Sequence, residues 1–316
     1  MSPPTIIAID AGRSGLRVAA ADETGLTPIG TGPGIEHTSR PDAANTLRAA
    51  LRTALAGWTP PRRAATVGIG LTGVFAPSPE ALEVAALVGE QIEAPAVHVT
   101  SDVVTSYLGA LGTAPGVVVA AGTGTICLAV SPEGDTARVD GWGYLLGDDG
   151  SGFRIGREGL AAGLRAADGR GGSPALLAAL RARYGDISPL IALVYGTTHP
   201  APQIAAFAPD VATLARAGDP IAADILSRAG AELADTVAAA AHRVFEPDDH
   251  PEVAATGGVP RLGPILTDAF TSALTRALPT ARVRPPDGDA LLGAARLARG
   301  HLGRLDGHVQ RLQRAA

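Results

Sequence analysis

Thr5-Ile6-Ile7-Ala8-Ile9-Asp10-Ala11-Gly12-Arg13-Ser14-Gly15-Leu16-Arg17-Val18-Ala19-Ala20-Ala21 reads as an apolar strand to Ala11, a turn at Gly12 to Gly15, and a returning strand from Leu16. The arrangement recurs after Gly116: Val117 to Ala121 is a strand, Gly122 to Gly124 a tight turn, and Thr125 to Val130 a second strand. Two halves that each begin with strand, glycine-rich turn and strand are what a duplicated nucleotide-binding unit looks like. The same motifs also serve as plain hairpins, so their order along the chain carries the weight.

Between the two hairpins the pattern alternates. A third strand is expected over Leu26 to Thr31. A helix follows over Asp42 to Gly57, with Leu47, Ala50, Leu51, Ala54 and Leu55 at helical spacing, and then a buried strand over Thr66 to Leu71. A helix at Pro79 to Ile92, a strand at Ala96 to Val99 and a helix at Asp102 to Leu111 close the first lobe near residue 113. The middle of the chain reads as helical over Phe153 to Ala167, Pro174 to Tyr184, Ile187 to Tyr195 and Pro220 to Val244. A strand at Glu252 to Ala255, a helix at Leu262 to Leu278, a short strand at Ala281 to Arg284 and a helix at Asp287 to Arg299 complete an α/β chain, with Pro285 and Pro286 punctuating the last junction. A length of 316 residues favours two domains. They are expected as a lobe of residues 1–113 completed by 287–316, and a lobe of residues 114–286.

Composition narrows the chemistry. All 26 basic residues are arginine, so P-loop chemistry, protein-kinase chemistry and Schiff-base chemistry, which need a lysine or an amine, are all disfavoured. Any nucleotide must be held by backbone amides, metal and arginine. A net charge of −5 with no basic, aromatic-interleaved stripe argues against a nucleic-acid partner. The start of the chain carries neither a signal peptide nor a membrane span by pattern, so a cytoplasmic protein is expected. A single cysteine, Cys127, excludes an internal disulfide, a multi-thiolate zinc site and a cysteine-ligated cluster within one chain.

Five segments carry candidate chemistry. Asp10 to Gly15 offers amides for phosphate oxygens and, in Asp10, a carboxylate for a hydrated magnesium ion, while the same residues serve equally as a turn. Gly122-Thr123-Gly124-Thr125 offers glycines and hydroxyls to a triphosphate, and Thr256-Gly257-Gly258 a backbone surface for an adenosine. Asp102, where a strand enters a helix, sits at the positive end of the helix dipole. It reads either as a carboxylate able to receive a hydroxyl proton or as a helix cap. Gly141-Trp142-Gly143-Tyr144-Leu145-Leu146-Gly147-Asp148-Asp149-Gly150-Ser151-Gly152 suits a pocket wall that orders polyol hydroxyls.

The order and spacing of these segments resemble the BadF/BadG/BcrA/BcrD-type ATPase family, in its N-acetylglucosamine and glucosamine kinase branch, from about Ile6 to Arg299. The resemblance implies a two-lobed actin-like ATPase (ribonuclease H-like) fold, each lobe a mixed sheet flanked by helices, with ATP and sugar between the lobes. It implies phosphate contacts from Asp10, Gly12, Ser14, Gly15, Gly122, Thr123, Gly124 and Thr125, with Arg13 as a supplementary one. It also implies Asp102 as catalytic base, Gly257 and Gly258 at the adenosine, and magnesium held by Asp10 through water. Leu71-Thr72-Gly73 looks like the strand end that touches sugar, and Gly122, Trp142, Gly143, Asp148 and Gly150 match residues lining the sugar pocket, where Asp102 also stands. His37 is a candidate sugar contact in a loop where relatives often carry asparagine. Other departures are Arg13, where a small residue is common, and Ile126, where a polar one is. ATP, Mg²⁺, an amino sugar and a second copy of the chain in a homodimer are the implied partners. The expected reaction is γ-phosphoryl transfer to the 6-hydroxyl of N-acetylglucosamine. Glucosamine or another hexose is the alternative acceptor, and a non-catalytic sugar-binding protein is a further one.

Overall fold

Asp10 stands one residue before the end of a strand that is paired on both sides. The structure, a computed structural model, describes residues 6–35, 43–58, 64–74 and 76–313. Strands β1 (Ile6–Ala11), β2 (Leu16–Ala21) and β3 (Leu26–Gly32) form an antiparallel meander, and β4 (Thr66–Leu71) and β5 (Ala96–Ser101) add parallel to the far side of β1. A final strand, β11 (Gln310–Gln313), caps the edge antiparallel to β5, giving the order β11-β5-β4-β1-β2-β3. Along β1 the side chains alternate between faces. Ile7 and Ile9 enter a core built with helices α1 (Ala43–Ala54) and α2 (Pro79–Ile92), whereas Ala8 packs under Ala294 and Ala295 of α11 (Ala290–Ala298). Fully buried isoleucines such as these stabilise by about 1.5–3 kcal/mol each. Helix α3 (Asp102–Leu111) packs along α11.

The second sheet repeats the plan. Strands β6 (Gly116–Ala121), β7 (Thr125–Val130) and β8 (Thr136–Asp140) are an antiparallel meander, and β9 (Glu252–Thr256) and β10 (Arg282–Val283) follow parallel, in the order β10-β9-β6-β7-β8. Numbered within each half, both sheets run third, second, first, fourth, fifth strand, with β11 as a sixth in the first. Between β8 and β9 lie six helices: α4 (Gly152–Ala167), α5 (Pro174–Tyr184), α6 (Ile187–Gly196), α7 (Pro200–Ala205), α8 (Ala208–Arg216) and α9 (Pro220–Ala241). Helix α10 (Pro264–Ala277) joins β9 to β10. Their apolar faces and the sheet share one aliphatic core, in which Phe207 is fully buried.

Chain contacts divide the molecule into Met1–Pro115, Pro132–Gly134 and Pro285–Ala316 as one unit, and Gly116–Ser131 with Asp135–Arg284 as the other. Four strands and α-helices have no counterpart in the sequence reading, β8, β11, α7 and α8, and neither have the 3-10 turns at Val259–Leu262 and Gly303–His308. Some boundaries shift. The helix expected from Leu262 starts at Pro264 after a 3-10 turn at Val259–Leu262, the long helix expected to Val244 ends at Ala241, and the last helix starts at Ala290 behind its cap Asp289. Among the described residues no helix is long and apolar enough to cross a membrane.

Candidate active site

In the first unit, β1, β4 and β5 are parallel and in register, Ala11 facing Leu71 and Leu71 facing Ser101. Their C-terminal ends therefore share one edge of the sheet, and the residues that follow them, the Gly12 turn, Thr72 and Asp102, collect there. Backbone bonds tie the edge together: Gly12 N donates to Gly15 O (3.0 Å), Ile35 N to Gly12 O (3.0 Å) and Thr72 N to Ala11 O (3.0 Å). Ser101 is the N-cap residue of α3 with no side-chain capping bond, so Asp102 is the first helical residue and not the cap.

The Asp102 carboxyl is pushed up from the ordinary aspartate value to about 6. Burial is the main cause and the neighbouring Asp10 charge the second. A hydrogen bond from Thr72, the Val103 amide and the Arg13 charge pull the other way. Asp10, Arg13, Thr72 and Asp102 thus form one electrostatic group, with a carboxyl that is largely ionised at neutral pH yet able to take up a proton. Gly73 turns the chain away behind Thr72 with φ +79°.

Asp10 has partners that sequence reasoning missed. Arg17 lies directly opposite it on β2, and Arg17 Nε and Nη2 donate to Asp10 Oδ2 at 3.1 and 2.6 Å. Arg17 Nη1 reaches Asp289 Oδ2 at 2.5 Å, while Asp289 Oδ1 caps α11 by accepting from Leu291 and Leu292 amides. Burial raises the Asp10 pKa, the opposing pull of Arg17 notwithstanding. Counting across the hairpin from Asp10 would have found Arg17; nothing local points to Asp289. Among the described residues no group of three or more His, Cys, Asp or Glu side chains could cage a metal. A single carboxylate beside a glycine turn fits an ion that keeps its waters and is held chiefly by phosphate, as magnesium is.

In the second unit, Gly122 N donates to Gly124 O (2.8 Å) across the turn. The start of α4 is laced to it, Gly152 N donating to Gly122 O (2.8 Å) and Phe153 N to Thr123 O (3.1 Å). The Thr125 hydroxyl is buried without a hydrogen-bond partner among the described residues, a costly state that a ligand would relieve. A Cβ on Gly124 would fall 2.5 Å from Asp148 Oδ2, so only glycine lets that carboxylate close over the turn. Gly257, at φ +97°, passes so near β6 that a Cβ would meet Ala121 O at 2.3 Å, whereas Gly122 and Gly258 face open space. Asp148 is buried, and Trp142, 60% exposed, stacks on Arg138 with 4.6 Å from the guanidinium carbon to the ring centre. Gly143 O receives the amides of Leu146 and Gly147. Ile126 packs against the Gly141 backbone.

Thus Asp10, Gly12, Arg13, Ser14, Gly15, Thr72, Gly73 and Asp102 belong to the first unit. Gly122, Thr123, Gly124, Thr125, Trp142, Gly143, Asp148, Gly150, Gly257 and Gly258 belong to the second. His37 lies outside the described residues.

A family model described as the BadF/BadG/BcrA/BcrD ATPase family matches residues 7–298. An N-acetyl-D-glucosamine kinase of Dictyostelium discoideum is 32% identical over 244 residues, covering 74% of this chain and 76% of that protein. An N-acetylmuramic acid/N-acetylglucosamine kinase of Clostridium acetobutylicum is 29% identical over 212 residues, covering 64% and 67%. A crystal structure from Chromobacterium violaceum, assigned as an N-acetylglucosamine kinase, superposes with TM-score 0.68 at 30% identity over 94% of this chain and all of that one. A ROK-family glucokinase from Streptomyces griseus superposes at 0.60 with 18% identity, which speaks for the fold alone.

Proposed function

Because this chain belongs to the BadF/BadG/BcrA/BcrD ATPase family, whose two-sheet α/β plan it shares, we propose that it is an ATP-dependent sugar kinase acting on the 6-hydroxyl of N-acetylglucosamine. The observation that carries the proposal is Asp102, a carboxylate with its pKa lifted to about 6, hydrogen-bonded by Thr72 and set beside the first glycine turn. The amino-sugar acceptor is supported by the relatives' activities.

In this reading Asp102 accepts a hydrogen bond from the acceptor hydroxyl and orients its oxygen toward the γ-phosphorus. The new oxygen–phosphorus bond forms as the bond to the β-phosphate oxygen breaks, the hydroxyl proton passes to Asp102, and ADP leaves. Phosphoryl-transfer transition states are loose, so orientation and charge neutralisation outweigh base strength. Amides of the Gly12–Gly15 and Gly122–Gly124 turns and the Thr125 hydroxyl hold phosphate oxygens, and Gly257 and Gly258 border the adenosine. Magnesium, held near Asp10, would offset the phosphate charge. Thr72, Asp148 and Trp142 contact the sugar. The proposal includes a homodimer, which light scattering tests.

A coupled ADP-release screen over N-acetylglucosamine, N-acetylmuramic acid, glucosamine and glucose, with phosphorus NMR of the product, tests the whole. Magnesium-dependent turnover of N-acetylglucosamine to its 6-phosphate is expected. ADP release that no sugar stimulates would overturn the assignment.

A further inference from the structure

Asp140 is the last residue of β8, in the second unit. It is an L-residue at φ +63°, 7% exposed, in register with Ile126. Its carboxylate accepts two successive amides from the far end of the following loop, Asp148 N at 2.8 Å and Asp149 N at 3.0 Å, one on each oxygen. The next amides are also assigned. Gly150 N donates to Glu232 Oε2 (2.8 Å) on α9, Ser151 N to Asp148 O (3.2 Å), Gly152 N to Gly122 O and Phe153 N to Thr123 O. Six consecutive backbone donors are thereby pinned, the first two by Asp140 and the last two by the second glycine turn. Asp148, itself at φ +59°, is held with its carboxylate against Gly124. Positive φ in two non-glycine residues so close together is costly and persists only where the surroundings enforce it.

We propose that Asp140 is a positioning residue for acceptor recognition. By holding the amides of residues 148 and 149 it fixes the Asp148 carboxylate relative to the Gly122–Gly124 turn, so that the acceptor is bound in one place with respect to the phosphates. This rests on the kinase reading above. Asp140 does not touch the substrates; it acts through the loop it closes, and preorganisation of this kind lowers the ordering cost of binding.

Asp140→Asn tests it. Asparagine tolerates the left-handed backbone but turns one of the two accepting oxygens into a donor facing an amide. In the full chain without ligands, hydrogen exchange in the 141–152 segment should accelerate about tenfold or more, the size expected from losing a charge-assisted bond. The KM for N-acetylglucosamine should rise by about tenfold while that for ATP stays within about twofold. Asp140→Gly, which suits the backbone and removes the carboxylate, should do the same and serves if the asparagine variant does not fold. Unchanged exchange in the segment overturns the positioning role whatever the activity. Faster exchange with both KM values moved equally, or neither moved, reduces Asp140 to a structural brace and also overturns it. Absence of sugar-stimulated turnover in the wild type is a separate result, which overturns the kinase reading and the acceptor role built on it.

Discussion

Arg17 spans two carboxylates that lie 279 positions apart in the chain: it forks onto Asp10 Oδ2 with contacts of 2.6 and 3.1 Å and reaches Asp289 Oδ2 at 2.5 Å. Its side chain is 42% exposed, so the pair contributes about 1 kcal/mol after solvent screening. Arg17→Met leaves Asp10 without its counter-charge, and the Asp10 pKa, already raised by burial, climbs further. A carboxyl whose folded pKa exceeds its unfolded value destabilises the fold once pH rises past the unfolded value, and the penalty disappears at pH below both. The Arg17→Met loss of Tm should therefore be larger at pH 8 than at pH 4, about 2–4 °C at the higher pH. Asp10→Asn in the same chain should recover most of it. Calorimetry at the two pH values decides, and a loss independent of pH would show that Arg17 acts by packing.

Asp102→Asn separates catalysis from stability. Loss of the base should lower kcat by about 10²–10⁴-fold. Ionised Asp102 costs the fold stability above the ordinary aspartate pKa, because its folded value is about 6. The asparagine variant should accordingly melt at or above the wild-type temperature at pH 7.5, with the advantage gone by about pH 3–4. Wild-type kcat/KM should fall on the acid side with an apparent pKa near 6, the value of the ligand-free carboxyl, a limb absent from the variant. An active, stable variant with an unchanged pH profile would remove Asp102 from the mechanism.

Thr125→Val exchanges a buried hydroxyl without a partner for a methyl of the same shape. Free of ligand, the variant should be as stable as the wild type or more so, since an unsatisfied buried polar group costs about 1–3 kcal/mol. If the hydroxyl donates to a phosphate oxygen, ATP affinity should fall by about tenfold in titration calorimetry. A destabilised variant with unaltered ATP affinity would mean that the hydroxyl serves the fold.

The strands, the hairpin turns and most helices were legible because their signals are local: apolar alternation, a glycine pair, a capping residue before an apolar run. What escaped the reading lacks such signals. β8 and β11 lie at sheet edges, where one ladder side is free and only some residues need be apolar; in Gln310–Gln313 only Leu312 packs on the core. α7 and α8 open with Pro200 and, at the second position, Pro209, which look like breakers but stand where a missing N–H costs nothing. Within the site the glycine turns and Asp102 could be named from order along the chain. Arg17 follows from counting across the hairpin from Asp10, but Asp140 and Asp289 could not be named, because their partners are set by tertiary folding and not by spacing.

The two sheets share a strand order but not a schedule. β11 and α11, which complete the first sheet and cover Ala8, are translated only after the whole of residues 116–284. During synthesis the second unit has all its strands in hand while the earlier half still shows an open edge at β5 and bare apolar surface over β1. Closing that edge joins strands about two hundred positions apart in the chain, a non-local pairing of the slow kind. The half that emerges first from the ribosome is thus the last to be finished, and until then its open strand edge and bare apolar surface stay exposed.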